Sequence, residues 1–222
     1  MKKVIASLMI MTMVLGAAAC AGPAKDETST TAAEPKTTET TTASESTSEA
    51  VSEGTEASTE TPAAHSDVLV AYFSATGTTK GVAERIASVT GGDLYEIVPA
   101  QPYTADDLNY NDRSSRSTAE QNDKNVRPEI GSEEISLEGY TTVYLGFPIW
   151  WGEEPRILDT FVEKYSFEGI TVIPFCTSGG SGIGRSGPNM EALAGSGTWL
   201  EGKRFSGNVS EGDLKTWIEG LK

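Results

Sequence analysis

From residue 67 onward the chain alternates short apolar runs with segments whose apolar positions recur every three or four residues. Val68-Leu69-Val70-Ala71-Tyr72-Phe73 is unbroken apolar sequence, the pattern of a strand covered on both faces. From Thr79, the positions Val82, Ala83, Ile86, Ala87 and Val89 make one face of a helix, and Gly91-Gly92 stops it. A second strand is predicted over 94–98, ended by Pro99. Residues 100–138 are irregular. A polar helix is expected within 106–122 beside a long loop, and Pro128-Glu129-Ile130 reads as extended or turning. Residues 141–147 form a third strand with Pro148 at its exit. A helix over 153–164 follows, with Pro155 in its first turn and Ile157, Leu158, Phe161 and Val162 facing the core. Residues 169–175 give a fourth strand, 188–193 a short helix, 198–205 a last strand, and 211–221 a closing helix carrying Leu214, Trp217, Ile218 and Leu221. Strands alternating with helices predict an α/β domain of three layers, with a five-stranded parallel sheet and right-handed crossovers.

The first 66 residues have a different texture. Met1-Lys2-Lys3 is basic, and 4–19 is apolar apart from Ser7, Thr12 and Gly16, the pattern of a signal peptide over 1–19. Ala17-Ala18-Ala19-Cys20 resembles a lipobox, with Ala17 where Leu is usual. Cys20 is therefore expected to carry the lipid of a bacterial lipoprotein, attached outside the cytoplasm to the cell membrane, or to be released with a secreted chain if it stays unlipidated. Residues 20–66, dominated by Thr, Ser, Glu, Ala and Pro, hold too little apolar surface to offset the entropy of ordering and read as a disordered acidic stem. The folded domain is expected over 67–222, long enough for one substantial core. With Cys20 lipidated, Cys176 has no disulfide partner.

Three unusual segments end strands where a parallel sheet binds ligands, beyond its carboxyl edge. The first is Ser74-Ala75-Thr76-Gly77-Thr78-Thr79: four hydroxyl side chains, a glycine that frees the backbone, and a helix start whose N–H groups and dipole favour a phosphate. It lacks the lysine pattern of a nucleoside-triphosphate loop and suits the terminal phosphate of a mononucleotide. The second is Phe147-Pro148-Ile149-Trp150-Trp151-Gly152. Its paired tryptophans offer an aromatic wall to a planar ring, with one assigned to the core and Trp151 expected nearest the ring. The third, Cys176-Thr177-Ser178-Gly179-Gly180-Ser181-Gly182-Ile183-Gly184-Arg185-Ser186, lets backbone groups approach a flat ring and tune its edge.

Together these segments resemble the flavodoxin family over 68–222. The resemblance implies the strand order 2-1-3-4-5 and FMN as cofactor. It assigns Ser74, Thr76, Gly77, Thr78 and Thr79 to the phosphate, and Pro148, Ile149, Trp150, Trp151 and Gly152 to the border of the isoalloxazine. Thr177, Ser178, Gly179, Gly180, Ser181 and Gly182 fall to the ring edge. The third loop lacks the aromatic residue that often covers the second flavin face in small electron-transfer flavodoxins. That leaves room for a quinone, a nicotinamide or a protein redox partner, and Tyr110 is placed to approach from the long loop.

The expected chemistry is electron transfer through FMN, with an FMN-dependent NAD(P)H or quinone reductase and a non-enzymatic flavin-binding or fold-only protein as the alternatives. No protein group is expected to be catalytic, since the cofactor performs the redox step. A net charge of −15 disfavours nucleic acid as a partner and permits docking to a basic one. The one histidine, His65, sits at the end of the stem, so a hydrolase triad and a Cys/His metal site have no sequence support.

Overall fold

The computed structural model describes residues 66–221. The predicted signal peptide, Cys20 and the stem up to His65 lie outside these residues, as does Lys222. The described residues form β1 (Val68–Tyr72), α1 (Thr78–Thr90), β2 (Asp93–Glu96), α2 (Arg116–Asn122), β3 (Thr142–Pro148), α3 (Arg156–Lys164), β4 (Thr171–Thr177), α4 (Ser186–Ala194), β5 (Thr198–Trp199), β6 (Lys203–Phe205) and α5 (Glu211–Glu219). Every ladder is parallel and the order is β2-β1-β3-β4-β5, with β6 continuing the last position beside β4.

Alternate residues of the central strands feed two cores. Val70, Tyr72, Tyr144, Ile173 and Phe175 pack with Val82, Ala83 and Ile86 of α1 and Leu214 of α5. Leu69, Ala71, Val143, Leu145, Phe147 and Val172 pack with Ile157, Leu158, Phe161 and Val162 of α3 and Met190 of α4. Both faces of the sheet are thus covered by helices. This is why β1, β3 and β4 are apolar throughout rather than alternating.

Three elements differ from the sequence reading. The polar helix expected within 106–122 is confined to α2. Ahead of it, short side chains capture the backbone: Asp107 accepts from Thr104 N–H at 2.9 Å, Asn109 from Asn111 N–H at 3.0 Å, and Asp112 from Ser114 N–H at 2.8 Å. Such local bonds compete with helix. The helix expected from residue 153 begins at Arg156, because Glu153 is held in a pairing with Trp150. The last strand is split. Val172 pairs with Trp199 and Phe175 with Lys203, so two residues of β4 face three of the neighbouring segment. Val172 O accepts from Leu200 N–H on that side at 2.9 Å, and strand alternation turns Pro174 to the same side, where it has no N–H to offer.

Gly146 of β3 makes room for a core ring. A Cβ at this position would lie 2.2 Å from Phe175 Cζ. Gly146→Ala is expected to destabilise the domain by about 1–3 kcal/mol, the usual cost of overpacking. Phe175→Leu in the same chain should recover part of that loss. A urea denaturation series on the two single variants and the double variant measures both effects, and additive losses would show that the ring is not the obstacle.

Candidate functional site

The carboxyl ends of β1, β3 and β4 lie side by side, and the three loops that leave them surround one cavity of about 520 Å³. Ala75, Thr76, Thr78 and Thr79 line it from the first loop, Pro148, Ile149 and Trp150 from the second, and Thr177, Ser178 and Gly179 from the third. Leu108 and Tyr110 close it from the segment between β2 and α2. A hydrogen bond of 2.8 Å between the buried hydroxyls of Thr79 and Thr177 ties the first loop to the third across 98 residues of sequence.

The first loop has the features of an anion cradle. Gly77 caps α1 at φ 83°, and no side chain caps that helix start. Gly81 N–H makes the first helical bond, to Gly77 O, so the N–H groups before it and the positive end of the helix dipole remain for an external acceptor. The Thr76 and Thr78 hydroxyls lie 3.4 Å apart and exposed. Ser74 Oγ is buried with no hydrogen-bond partner, in a smaller neighbouring cavity of about 140 Å³. A phosphate supplies acceptors for this set of donors. Lys80, the nearest cation in sequence, is engaged by Glu96 at 3.2 Å.

The second loop is a hairpin turn. Trp150 and Glu153 exchange backbone hydrogen bonds of 3.0 and 3.1 Å around Trp151 at φ 48° and Gly152 at φ 85°. Positive φ at both central residues is a type I′ turn, natural for Gly152 and strained for a bulky residue such as Trp151. The two tryptophans separate accordingly. Trp150 is buried, edge-on to Phe73 at 5.5 Å and to Tyr103 at 5.0 Å, while lining the cavity wall. Trp151, the residue expected nearest the ring, lies outside the cavity lining: it is 43% exposed and packs against Tyr110, ring centroids 4.6 Å apart and planes inclined at 38°. Gly152 approaches the third loop at Gly184, where a Cβ would meet Gly152 O at 3.2 Å. Gly180, Ser181 and Gly182 extend that loop beyond the residues that line the cavity. Cys176, behind it, is fully buried and its thiol is pushed up to about 12 by burial, so it supplies no nucleophile at neutral pH.

Residues without a sequence signal hold the strained turn. Gln121 Nε2 donates to Trp150 O at 2.8 Å and to Glu154 O at 3.2 Å, and Arg156 Nη2 donates to Gln121 O at 3.2 Å. Arg156 is buried among Glu153 at 2.8 Å, Asp159 at 3.3 Å and Glu154 at 3.8 Å. The i, i+3 spacing of Glu153, Arg156 and Asp159 is legible in the sequence, but it ordinarily describes a solvated face. Gln121 carries no mark at all.

Burial raises the Asp159 carboxyl to about 6, with the negative charge of Glu154 adding to the shift and Arg156 and Arg127 opposing it. The folded protein holds this proton more tightly than the unfolded chain. The stability it contributes is complete below the ordinary aspartate value and is lost as pH rises through about 6. Asp159→Asn is therefore expected to gain in unfolding midpoint relative to wild type as pH rises from about 4 to about 7. A thermal melt series across that range checks it, and a constant difference would show that Asp159 stays ionised throughout.

No curated protein matches the sequence. A candidate flavoprotein from Bacteroides eggerthii is similar in structure, with 45% identity and a TM-score of 0.66, over 69% of this chain and 96% of its own. A second, from Bacteroides uniformis, has 44% identity and a TM-score of 0.66, over 70% of this chain and 99% of its own. A flavoprotein from Lactobacillus acidophilus, solved in complex with FMN, shares the fold at 23% identity and a TM-score of 0.52, over 68% of this chain and 97% of its own. The family model described as flavodoxin matches residues 67–221, the whole α/β domain, and the chain belongs to the flavodoxin family.

Proposed function

We propose that the domain binds FMN in the cavity at the ends of β1, β3 and β4 and serves as an extracytoplasmic redox protein. The observation that carries this reading is the meeting of an uncapped helix start, an aromatic wall and a glycine loop around one cavity of mononucleotide size. The FMN held by the Lactobacillus acidophilus relative supports the choice of cofactor. In this reading Ser74, Thr76, Gly77, Thr78 and Thr79 hold the phosphate. Pro148, Ile149, Trp150, Trp151 and Gly152 border the ring, and the backbone over 177–182 meets its edge. FMN, when bound, supplies one- or two-electron transfer, and the protein orients it and tunes its charge.

A second reading, an FMN-dependent reductase of a quinone or a nicotinamide, is favoured by the exposed Tyr110–Trp151 pair at the cavity mouth, a surface on which a second flat ring can stack. For the carrier, the acidic surface steers a basic protein partner. Cys20 anchors the protein to the outer side of the cell membrane through its lipid, and the stem holds the domain away from the surface.

Titration of the purified protein with FMN is expected to give a bound-flavin visible spectrum. Thr78→Ala is expected to weaken FMN by about tenfold, the worth of one charge-assisted hydrogen bond, with an unchanged far-ultraviolet spectrum. Trp151→Asn relieves the strained turn, so the apo-protein should melt no lower than wild type while the flavin band shifts. No spectral change on adding FMN to wild type would reduce the resemblance to fold alone. Location is tested separately: Cys20→Ser is expected to move the protein from the membrane to the soluble fraction, and an unchanged distribution would remove the anchor.

A further inference from the structure

The third loop is gripped from behind by a cation. Arg204 of β6 donates from Nη2 to Ser178 O at 2.8 Å and from Nε to Ser178 Oγ at 3.3 Å. Ser178 Oγ in turn donates to Ser181 O and accepts from Gly180 N–H, so one guanidinium fixes the whole turn from Ser178 to Ser181. The register pairs Arg204 with Cys176, at the end of β4 where the loop departs. Ser178 and Gly179 line the cavity, which puts the charge one residue behind its wall.

Among the described residues Arg204 makes no ion pair, whereas Arg116, Arg127 and Arg156 are each matched by a carboxylate. Arg85 is likewise half-buried without an ion pair among these residues, but it is turned to Gly207 O at 3.0 Å, whereas Arg204 is bound to a residue of the cavity wall. Its bond to Ser178 O also polarises the Ser178–Gly179 peptide and strengthens the Gly179 N–H as a donor.

We propose that Arg204 is a positioning residue that raises the reduction potential of the bound flavin, by holding the third loop against the ring edge and by placing an unneutralised positive charge behind it. The inference rests on the FMN reading above. Near neutrality, two-electron reduction of FMN takes up two electrons and one proton, so the ring gains one negative charge. A cation about 6–12 Å away, at an effective dielectric of about 20, favours that charged form by on the order of one to two powers of ten. Arg204 then shifts the bound flavin toward its reduced form, relative to the same chain with a neutral residue at this position. A flavin biased in this way is a poor donor to low-potential one-electron acceptors. It suits two-electron exchange with a small partner of the quinone class.

The test is a redox titration of the FMN-loaded full chain with dithionite, comparing wild type, Arg204→Gln, Arg204→Met and Arg204→Lys. Both neutral variants are expected to lose about tenfold of the preference for reduced over oxidised FMN, a fall of about 30 mV for a two-electron couple. Arg204→Lys keeps the charge without the fork and should recover at least half of that fall. Amide hydrogen exchange on the apo-proteins reads the positioning role without the cofactor, with Gly179 and Gly180 expected to exchange faster in the neutral variants. Wild-type potential in both neutral variants would overturn the inference. Equal potentials in Arg204→Lys and Arg204→Gln would also overturn it, since a loop clamp alone would then explain the loss. Failure of wild type to bind FMN would overturn the cofactor reading itself, a result that no Arg204 variant can produce.

Discussion

The parallel pairing of β1, β3 and β4 is the constraint from which the site follows. Parallel ladders align the same end of each strand, so every departing loop emerges on one edge. Residues 74–79, 147–152 and 176–182 have no local reason to meet. They meet because Tyr72 lies beside Gly146 and Gly146 beside Phe175. That register is set in turn by the two apolar cores, because a slip of one residue would send each side chain to the opposite face. The Thr79–Thr177 hydrogen bond is the polar consequence of this alignment and closes the floor of the cavity.

Apolar packing alone does not shape the aromatic wall. The type I′ turn at Trp151-Gly152 holds a bulky residue at positive φ, a conformation that costs on the order of 1–3 kcal/mol. Gln121 and the buried Arg156 bear on its flanks, using the carbonyls of Trp150, Glu154 and Gln121. A buried ion cluster is poor as a source of net stability. Removing one member is nevertheless costly, about 3–5 kcal/mol, because the remaining charge is left uncompensated. Such a cluster therefore resists rearrangement, which suits a support for strained backbone. The cluster also contains carboxylate and guanidinium atoms with no protein partner, Glu154 Oε2, Asp159 Oδ1 and Arg156 Nε, beside a cavity of about 260 Å³ large enough for ordered water.

The same division of labour recurs at the third loop. Its glycines give the backbone freedom to approach a ring, and freedom alone gives no defined edge. Arg204, from a strand that begins more than twenty residues later, supplies the order. It reaches the loop because Pro174 breaks the last strand: β6 resumes in a shifted register that sets Arg204 opposite Cys176. A proline in the fourth strand thus contributes to where the cation stands.

Apolar periodicity by itself determined the strand and helix succession, because burial on both faces leaves continuous apolar runs in β1, β3 and β4 and a three-to-four repeat in α1 and α3. The hydroxyl loop at Ser74–Thr79, the Trp150-Trp151 pair and the Gly/Ser loop were legible for a related reason: they interrupt that pattern with residue types that have no use in a core. Tertiary structure alone decided the rest. It divided two adjacent tryptophans between core and mouth, because a positive-φ turn rotates Trp151 away from the wall that Trp150 joins. It shortened the expected helix over 106–122, where side chains of Asp107, Asn109 and Asp112 captured backbone N–H groups. It also recruited Gln121, Arg156 and Arg204, whose sequence neighbourhoods are those of ordinary surface residues. Their roles rest on long-range hydrogen bonds between distant segments. Local sequence encodes propensity and face, whereas such pairings exist only once the chain is folded.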